Sequence, residues 1–225
     1  MLDFHGVGWR SARLPSAVAP LLLAPVLACA APDNAYAPSP PSPPPGWTFS
    51  ATGMYYSLRD QSDFLLVTAA AERGPLHFEA RHNYEALDSS SLFAGWKFSG
   101  GESLTYSLTP ILGVVFGATQ GVAPGFEVSA AYGMVDFYTE AEYMYDTKVK
   151  EDSFTYAWSE LGFSPRNWLR LGLVGQRTRL YQTDRDFQRG VFGQAVLGDV
   201  TVGLYVFNPD DSADRVVILS LGAKF

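Results

Sequence analysis

The chain has 225 residues, one cysteine, 14% aromatic residues and a formal net charge of -7. One cysteine excludes an intramolecular disulfide, and an acidic balance with no basic cluster speaks against a nucleic-acid partner. No run approaches 18 consecutive apolar residues, so no membrane-crossing helix is expected.

At the amino end, Arg10 and Arg13 precede an apolar run from Ala17 to Ala30. At about 14 residues this run is too short to span a bilayer, and it ends among small residues as a signal peptide does. Residues 1–30 are therefore read as a signal peptide, with two competing processing schemes. Ala28-Cys29-Ala30 fits a small-x-small cleavage site, whereas Val26-Leu27-Ala28-Cys29 resembles a lipobox that would make Cys29 the lipidated first residue. A third site, Ala35-Tyr36-Ala37, is disfavoured by Pro38. Residues 31–46 follow as a periplasmic spacer whose prolines, dense from Pro38 to Pro45, keep it out of helix and sheet. An extended polyproline stretch of this length reaches roughly 25–30 Å at about 3.1 Å per residue. It could engage a periplasmic partner or be a leader without one.

From Trp47 to Phe225, apolar and polar residues alternate in about twelve runs of the length a tilted spanning strand needs, about 9–11 residues. The runs are 47–59, 63–72, 76–87, 91–99, 103–117, 121–133, 135–146, 152–164, 168–182, 187–198, 200–208 and 214–225. Ten strands result if two runs are loop. Pro110 lies inside one run and predicts a bulge or kink. The run at 168–182 loses its alternation after Gly175, and a bulge near Val174-Gly175 would turn Arg177 and Arg179 inward.

The connections alternate as well. Arg73-Gly74-Pro75, Gly100-Gly101, Met134-Val135, Pro165-Arg166 and Gly198-Asp199 are tight, with glycine supplying the positive φ of hairpin turns. Between them fall longer, more polar links, from Ala118 to Gly125, Thr147 to Glu151, Thr183 to Arg189 and Asn208 to Asp214, although those near Asp60 and Ser89 are short.

The last run ends Val217-Ile218-Leu219-Ser220-Leu221-Gly222-Ala223-Lys224-Phe225. Counting back from Phe225, every second residue is apolar: Ala223, Leu221, Leu219 and Val217. An alternating strand ending on a carboxyl-terminal aromatic resembles the closing strand of bacterial outer-membrane β-barrels. That resemblance is close over about ten residues and extends to the rest by pattern. It implies an all-β, closed, antiparallel up-and-down transmembrane barrel in outer-membrane lipid, with both termini periplasmic. It also implies that Phe225, Leu221 and Leu219 form the signal read by the barrel-assembly machinery. A soluble β-sandwich shares the alternation and is the competing fold.

Assigning faces puts Leu65, Val67, Phe78, Leu92, Phe126, Leu171 and Val202 on the lipid side, together with Tyr84. The opposite register carries Glu72, His77, Glu79, Arg81, Glu85, Lys97, Glu127, Asp136, Glu140, Glu142, Glu160, Arg170, Gln194 and Lys224. A cationic side chain facing lipid at mid-membrane costs about 2–4 kcal/mol, so the charged register is assigned to the lumen. Aromatic girdles are expected from Trp47, Phe98, Phe163 and Trp168 at one interface and Tyr55, Tyr84, Tyr145 and Tyr181 at the other. Clustered carboxylates (Glu79, Glu127, Asp136, Glu140, Glu142, Glu160) would face a positive wall of Arg81, Arg170, Arg177 and Arg179, as in porin constrictions. A wet lumen would make Glu140→Gln a mild change.

Few residues suggest other chemistry. His77 and His82 fall on opposite faces of one strand. His82, on the lipid register, would need a serine from another strand to act on lipid, so catalysis is not expected and no catalytic residue is assigned. With no Cys/His set, neither a metal site nor a cofactor is expected; Asp210, Asp211 and Asp214 read as a solvated loop rather than a calcium site. The reading is a narrow passive channel for ions or small solutes. A non-conducting anchor or scaffold and a lipid-modifying enzyme are the alternatives.

Overall fold

The computed structural model describes residues 46–58, 62–180, 186–212 and 214–225, without the side chains of 177–180 and 186. The expected signal peptide, Cys29 and all of the spacer but Gly46 lie outside the described residues, as does Tyr181.

The strands are β1 (Thr48–Leu58), β2 (Phe64–Arg73), β3 (Leu76–His82), β4 (Ser89–Trp96), β5 (Phe98–Gly100), β6 (Leu104–Gly117) and β7 (Gly121–Tyr132). They continue as β8 (Val135–Asp146), β9 (Phe154–Arg166), β10 (Leu169–Leu180), β11 (Asp186–Leu197), β12 (Val200–Phe207) and β13 (Val216–Lys224). Apart from β4 and β5, which do not pair with each other, each strand pairs antiparallel with its neighbour in sequence, and β1 pairs with β13 from Ser50↔Lys224 to Leu58↔Val216, which closes the sheet. Both β4 and β5 pair with β6, so they are halves of one stave and the barrel has twelve. Closure leaves no sheet edge, which sets aside the sandwich. The twelve-stave reading holds and ten does not.

The β4/β5 break has a cause in β6. Continuing the register Gly95↔Ile111 places Trp96 opposite Pro110, which has no N–H to donate. Pairing resumes in the same register at Phe98↔Leu108, while the ladder to β7 runs straight through Pro110↔Phe126. At Pro110, where the sequence predicts a bulge or kink, the ladder has a gap and keeps its register. Pro124 does the same between Val122↔Tyr145 and Gly125↔Glu142.

The bulge expected near Val174-Gly175 is also absent: β10 pairs with β9 in unbroken register from Leu171↔Phe163 to Leu180↔Phe154. The irregularity sits instead between Leu169 and Leu171. Arg177 and Arg179 thus hold the same alternate backbone positions as Leu171 and Leu173, and the predicted inward turn has no basis in the ladder.

The connections behave as the glycines suggest. Gly74, Gly101, Gly133 and Gly198 have φ between 56° and 95° and sit in the two- or three-residue turns at one end, where both β1 and β13 also have their outer ends. The link at Ala118–Gln120 is shorter than expected, because β7 already begins at Gly121. The strand predicted at 76–87 stops at His82, because Asn83 takes φ 56° and the alternation is lost.

Along the staves exposure alternates with period 2. Leu92, Leu112, Leu171, Val202 and Leu221 lie on an outward apolar band, with Trp47, Phe98, Tyr132, Trp168 and Phe225 exposed at the short-turn end. Inward positions are closely packed. Trp158, Tyr156, Tyr205, Phe154 and Phe207 are fully or almost fully buried, as are Met54, Met144 and Ile218. Tyr84 belongs to this interior, not to the lipid face or the girdle: its ring lies 5.9 Å from that of Tyr156. Tyr145 is half-buried.

Candidate functional site in the lumen

The structure brings the predicted lumen charges together in two ionic clusters. The first surrounds Arg81 on β3. Its Nε donates to Glu79 Oε2 at 2.8 Å, its Nη1 to Glu142 Oε2 at 3.1 Å, and its Nη2 lies 2.8 Å from Glu140 Oε1. Glu140 and Glu142 are on β8, four staves from β3, so these contacts cross the lumen. Glu85 Oε1, 3.8 Å from Nη1, accepts the Ser91 hydroxyl at 2.7 Å. The guanidinium lies 4.1 Å from the Tyr84 ring centroid and 4.0 Å from that of Phe93, a cation–π sandwich.

The second cluster surrounds Arg170 on β10. Its Nε donates to both carboxylate oxygens of Asp136 at 3.0 Å, and its Nη1 to Glu160 Oε2 at 2.6 Å and Gln194 Oε1 at 3.1 Å. Glu160 Oε1 also accepts from Trp158 Nε1 and from the Tyr205 hydroxyl, each at 3.1 Å. Tyr138 reaches towards both sides of the first cluster, with its hydroxyl 3.1 Å from Glu140 Oε2 and 3.3 Å from Glu127 Oε1.

These contacts fill the space expected to hold water. Seven of the predicted lumen carboxylates are buried (Glu79, Glu85, Glu127, Asp136, Glu140, Glu142 and Glu160), and Glu140 is wholly inaccessible. Glu140 is therefore not solvated as expected, and the premise for a mild Glu140→Gln change does not hold at this position. Arg81 and Arg170, two members of the expected positive wall, are embedded among carboxylates; the side chains of Arg177 and Arg179 lie outside the described residues. Glu72 and Lys97 form a part-exposed pair at 2.7 Å, and Lys224 is exposed at the short-turn mouth. The sequence reading did not single out Tyr138, Trp158, Phe93, Phe192 or Tyr205. Their signal was present in the inward register of β4, β8, β9, β11 and β12, but aromatics there were not separated from the girdles.

Elsewhere, Arg189 Nη2 donates to Asp210 Oδ2 at 2.7 Å, and this bond holds the Asp210 carboxyl below its usual range. Asp211 Oδ1 accepts from the Asp214 amide at 3.4 Å. These loop acids are therefore engaged locally. On the lipid face, His82 Nδ1 lies 3.0 Å from Ser90 Oγ, a serine partner the sequence reading did not foresee. Strand register supplies it, since His82 pairs directly with Ser90. No carboxylate hydrogen-bonds to His82 among the described residues.

No protein-family profile and no curated protein matches the chain. The fold does match solved porins. The KdgM porin superposes with a TM-score of 0.60 at 9% identity, over 78% of this chain and 99% of its own. KdgM in complex with disordered oligogalacturonate gives 0.59 at 8%, over 79% and 99%. The NanC porin gives 0.54 at 10%, over 79% and 98%. The architecture is thus that of bacterial outer-membrane porins.

Proposed function

We propose that this chain is a bacterial outer-membrane barrel acting as a narrow passive channel for small cations, with both termini in the periplasm. The observation that carries this reading is the sign of the interior. Among the described side chains, seven buried lumen carboxylates are accompanied by two buried guanidiniums, those of Arg81 and Arg170. A barrel serving only as an anchor could fill its interior with apolar side chains at lower desolvation cost. Ionisable groups inside a membrane protein generally mark a path for ions or solutes. Oligogalacturonate, the molecule named with KdgM, is a polyanion, and this interior has the wrong charge for one. The fold, the lipid-facing band and the signal peptide read from residues 1–30 support the location. Purified barrel in planar bilayers should show small unitary currents.

A second reading, a non-conducting scaffold, is favoured by the aromatic layer near the long-loop end. Trp158 packs against Tyr205 and Phe207 with ring centroids 5.7 and 5.3 Å apart. Rings buried and packed this closely suit an interior that does not conduct. Among the described residues the His82–Ser90 pair is the handle for the enzyme alternative, and a lipid-hydrolysis assay comparing wild type with His82→Ala tests it.

A further inference from the structure

We infer that the lumen holds a divalent transition-metal site built from His77 on β3, Glu79 on β3 and Glu127 on β7. His77 Nε2 lies 3.7 Å from Glu79 Oε1 and 4.0 Å from Glu127 Oε2, and the set of ligand atoms lies within 4.8 Å of one another. These separations exceed an N–H···O bond and approach the spacing of donors about one ion. Ligands about 2.0–2.2 Å from a tetrahedral centre are roughly 3.4 Å apart, so side-chain shifts of up to about 1 Å would draw the three donors to that spacing. All three residues are buried.

Each ligand is held from behind. Glu72 Oε1 lies 3.1 Å from His77 Nδ1 and also 2.7 Å from Lys97 Nζ, which places an acceptor oxygen behind the ring. The Nδ1–H tautomer this favours directs the Nε2 lone pair towards the two glutamates. A carboxylate behind a histidine is the usual outer partner of a metal ligand. Arg81 Nε holds the other oxygen of Glu79 at 2.8 Å, and the Tyr138 hydroxyl, shared with Glu140, lies 3.3 Å from the other oxygen of Glu127. One imidazole and two carboxylates suit Zn²⁺, Co²⁺ or Mn²⁺ better than soft monovalent copper. A bound ion would also offset part of the carboxylate excess and would tie β3 to β7, three staves apart. No local Cys/His motif marks this group, because two of its three ligands are carboxylates and Glu127 is remote in sequence from His77.

The inference rests on the closed barrel and not on conduction. The test is Co²⁺ and Zn²⁺ binding to the full mature chain folded in detergent, with folding checked by the heat-modifiable gel shift. Wild type should bind one equivalent, give visible Co²⁺ ligand-field bands that Zn²⁺ displaces, and unfold at higher temperature with Zn²⁺. His77→Gln and Glu127→Gln should weaken binding at least 10-fold, while His82→Ala keeps it. Folded wild type with neither bands nor stoichiometric binding overturns the site, as does binding lost in His82→Ala but kept in His77→Gln. A channel that conducts but binds no metal overturns this inference alone; metal binding without conductance overturns the channel reading alone.

Discussion

Arg170 reaches Asp136 by passing over Gly162. Gly162 pairs with Asp136 on one side and Gly172 on the other, so it is the floor between the β8 acid and the β10 base. A Cβ at position 162 would lie 2.5 Å from both Arg170 Nε and Asp136 Oδ2. Gly162→Ala should therefore displace the ion pair and lower stability by about 1–3 kcal/mol, the usual cost of overpacking. Gly53→Ala is the control, since its Cβ would meet only Leu65 Cδ1, at 3.8 Å. Equal urea midpoints for the two variants would show that the Arg170–Asp136 contact does not depend on this glycine.

Removing Arg81 should be among the most damaging single changes. Truncation to alanine leaves Glu79, Glu140 and Glu142 buried together without their shared cation, a situation that costs about 3–5 kcal/mol. Arg189→Ala breaks a pair that is largely solvent-exposed on both sides and should barely register. Urea titrations of the folded barrel measure both. Comparable small losses would mean that the carboxylates near Arg81 are neutralised in another way.

The barrel was legible in the sequence because its determinants are local. Period-2 alternation, turn glycines and the carboxyl-terminal aromatic each act over a few residues, and Phe78, Leu92, Leu171 and Val202 all lie on the predicted face. The interior was legible only as a register. Whether Arg81 faces water or reaches Glu142 depends on chain closure and lumen width, which no local pattern encodes. Tyr84 shows the limit well. Extending β3's parity past Asn83 puts its ring in lipid, whereas one positive φ at Asn83 ends the strand and the ring packs inside. Likewise, Arg177 and Arg179 seemed to demand a bulge because the lipid-side penalty was applied at all depths. It falls to about 0–1 kcal/mol near the interfaces, so register can continue to the end of β10.

Phe225 should be required for assembly. Its amide donates to Phe49 O and its carbonyl accepts from Phe49 N, both at 3.0 Å, so it extends the β1–β13 seam beyond Lys224. Deletion removes both bonds and an exposed ring at the short-turn interface. Expression of the truncated chain should yield protein without the heat-modifiable gel shift of a closed barrel. Normal folded yield would refute the role given to the terminus.

The outward face should reject charge. Leu171 points away from the lumen and is 43% exposed. Leu171→Arg should lose about 2–4 kcal/mol if it lies near the bilayer midplane. Leu171→Ala should lose much less, because lipid chains occupy the space. Equal penalties for arginine and alanine in refolding titrations from urea into vesicles would mean that this face does not contact lipid.

Ion selectivity tests the function most directly. Glu127 on β7, Asp136, Glu140 and Glu142 on β8, and Glu160 on β9 come from three adjoining staves and give one side of the lumen a negative potential. Arg81 and Arg170 are each surrounded by these acids, so neither presents a positive wall to a passing ion. The channel should therefore prefer potassium to chloride. The preference should strengthen as salt falls, because the screening length grows from about 10 Å at 0.1 M to about 30 Å at 0.01 M. Reversal potentials across planar bilayers under a potassium chloride gradient give the sign. Neutralising Glu127, whose Oε2 faces the His77 side of the lumen, should weaken the preference without abolishing the current. Chloride preference would mean that the two guanidiniums govern the narrowest point. Folded barrel that inserts but shows no unitary current would replace the channel with the scaffold, with Trp158, Tyr205 and Phe207 as its permanent seal.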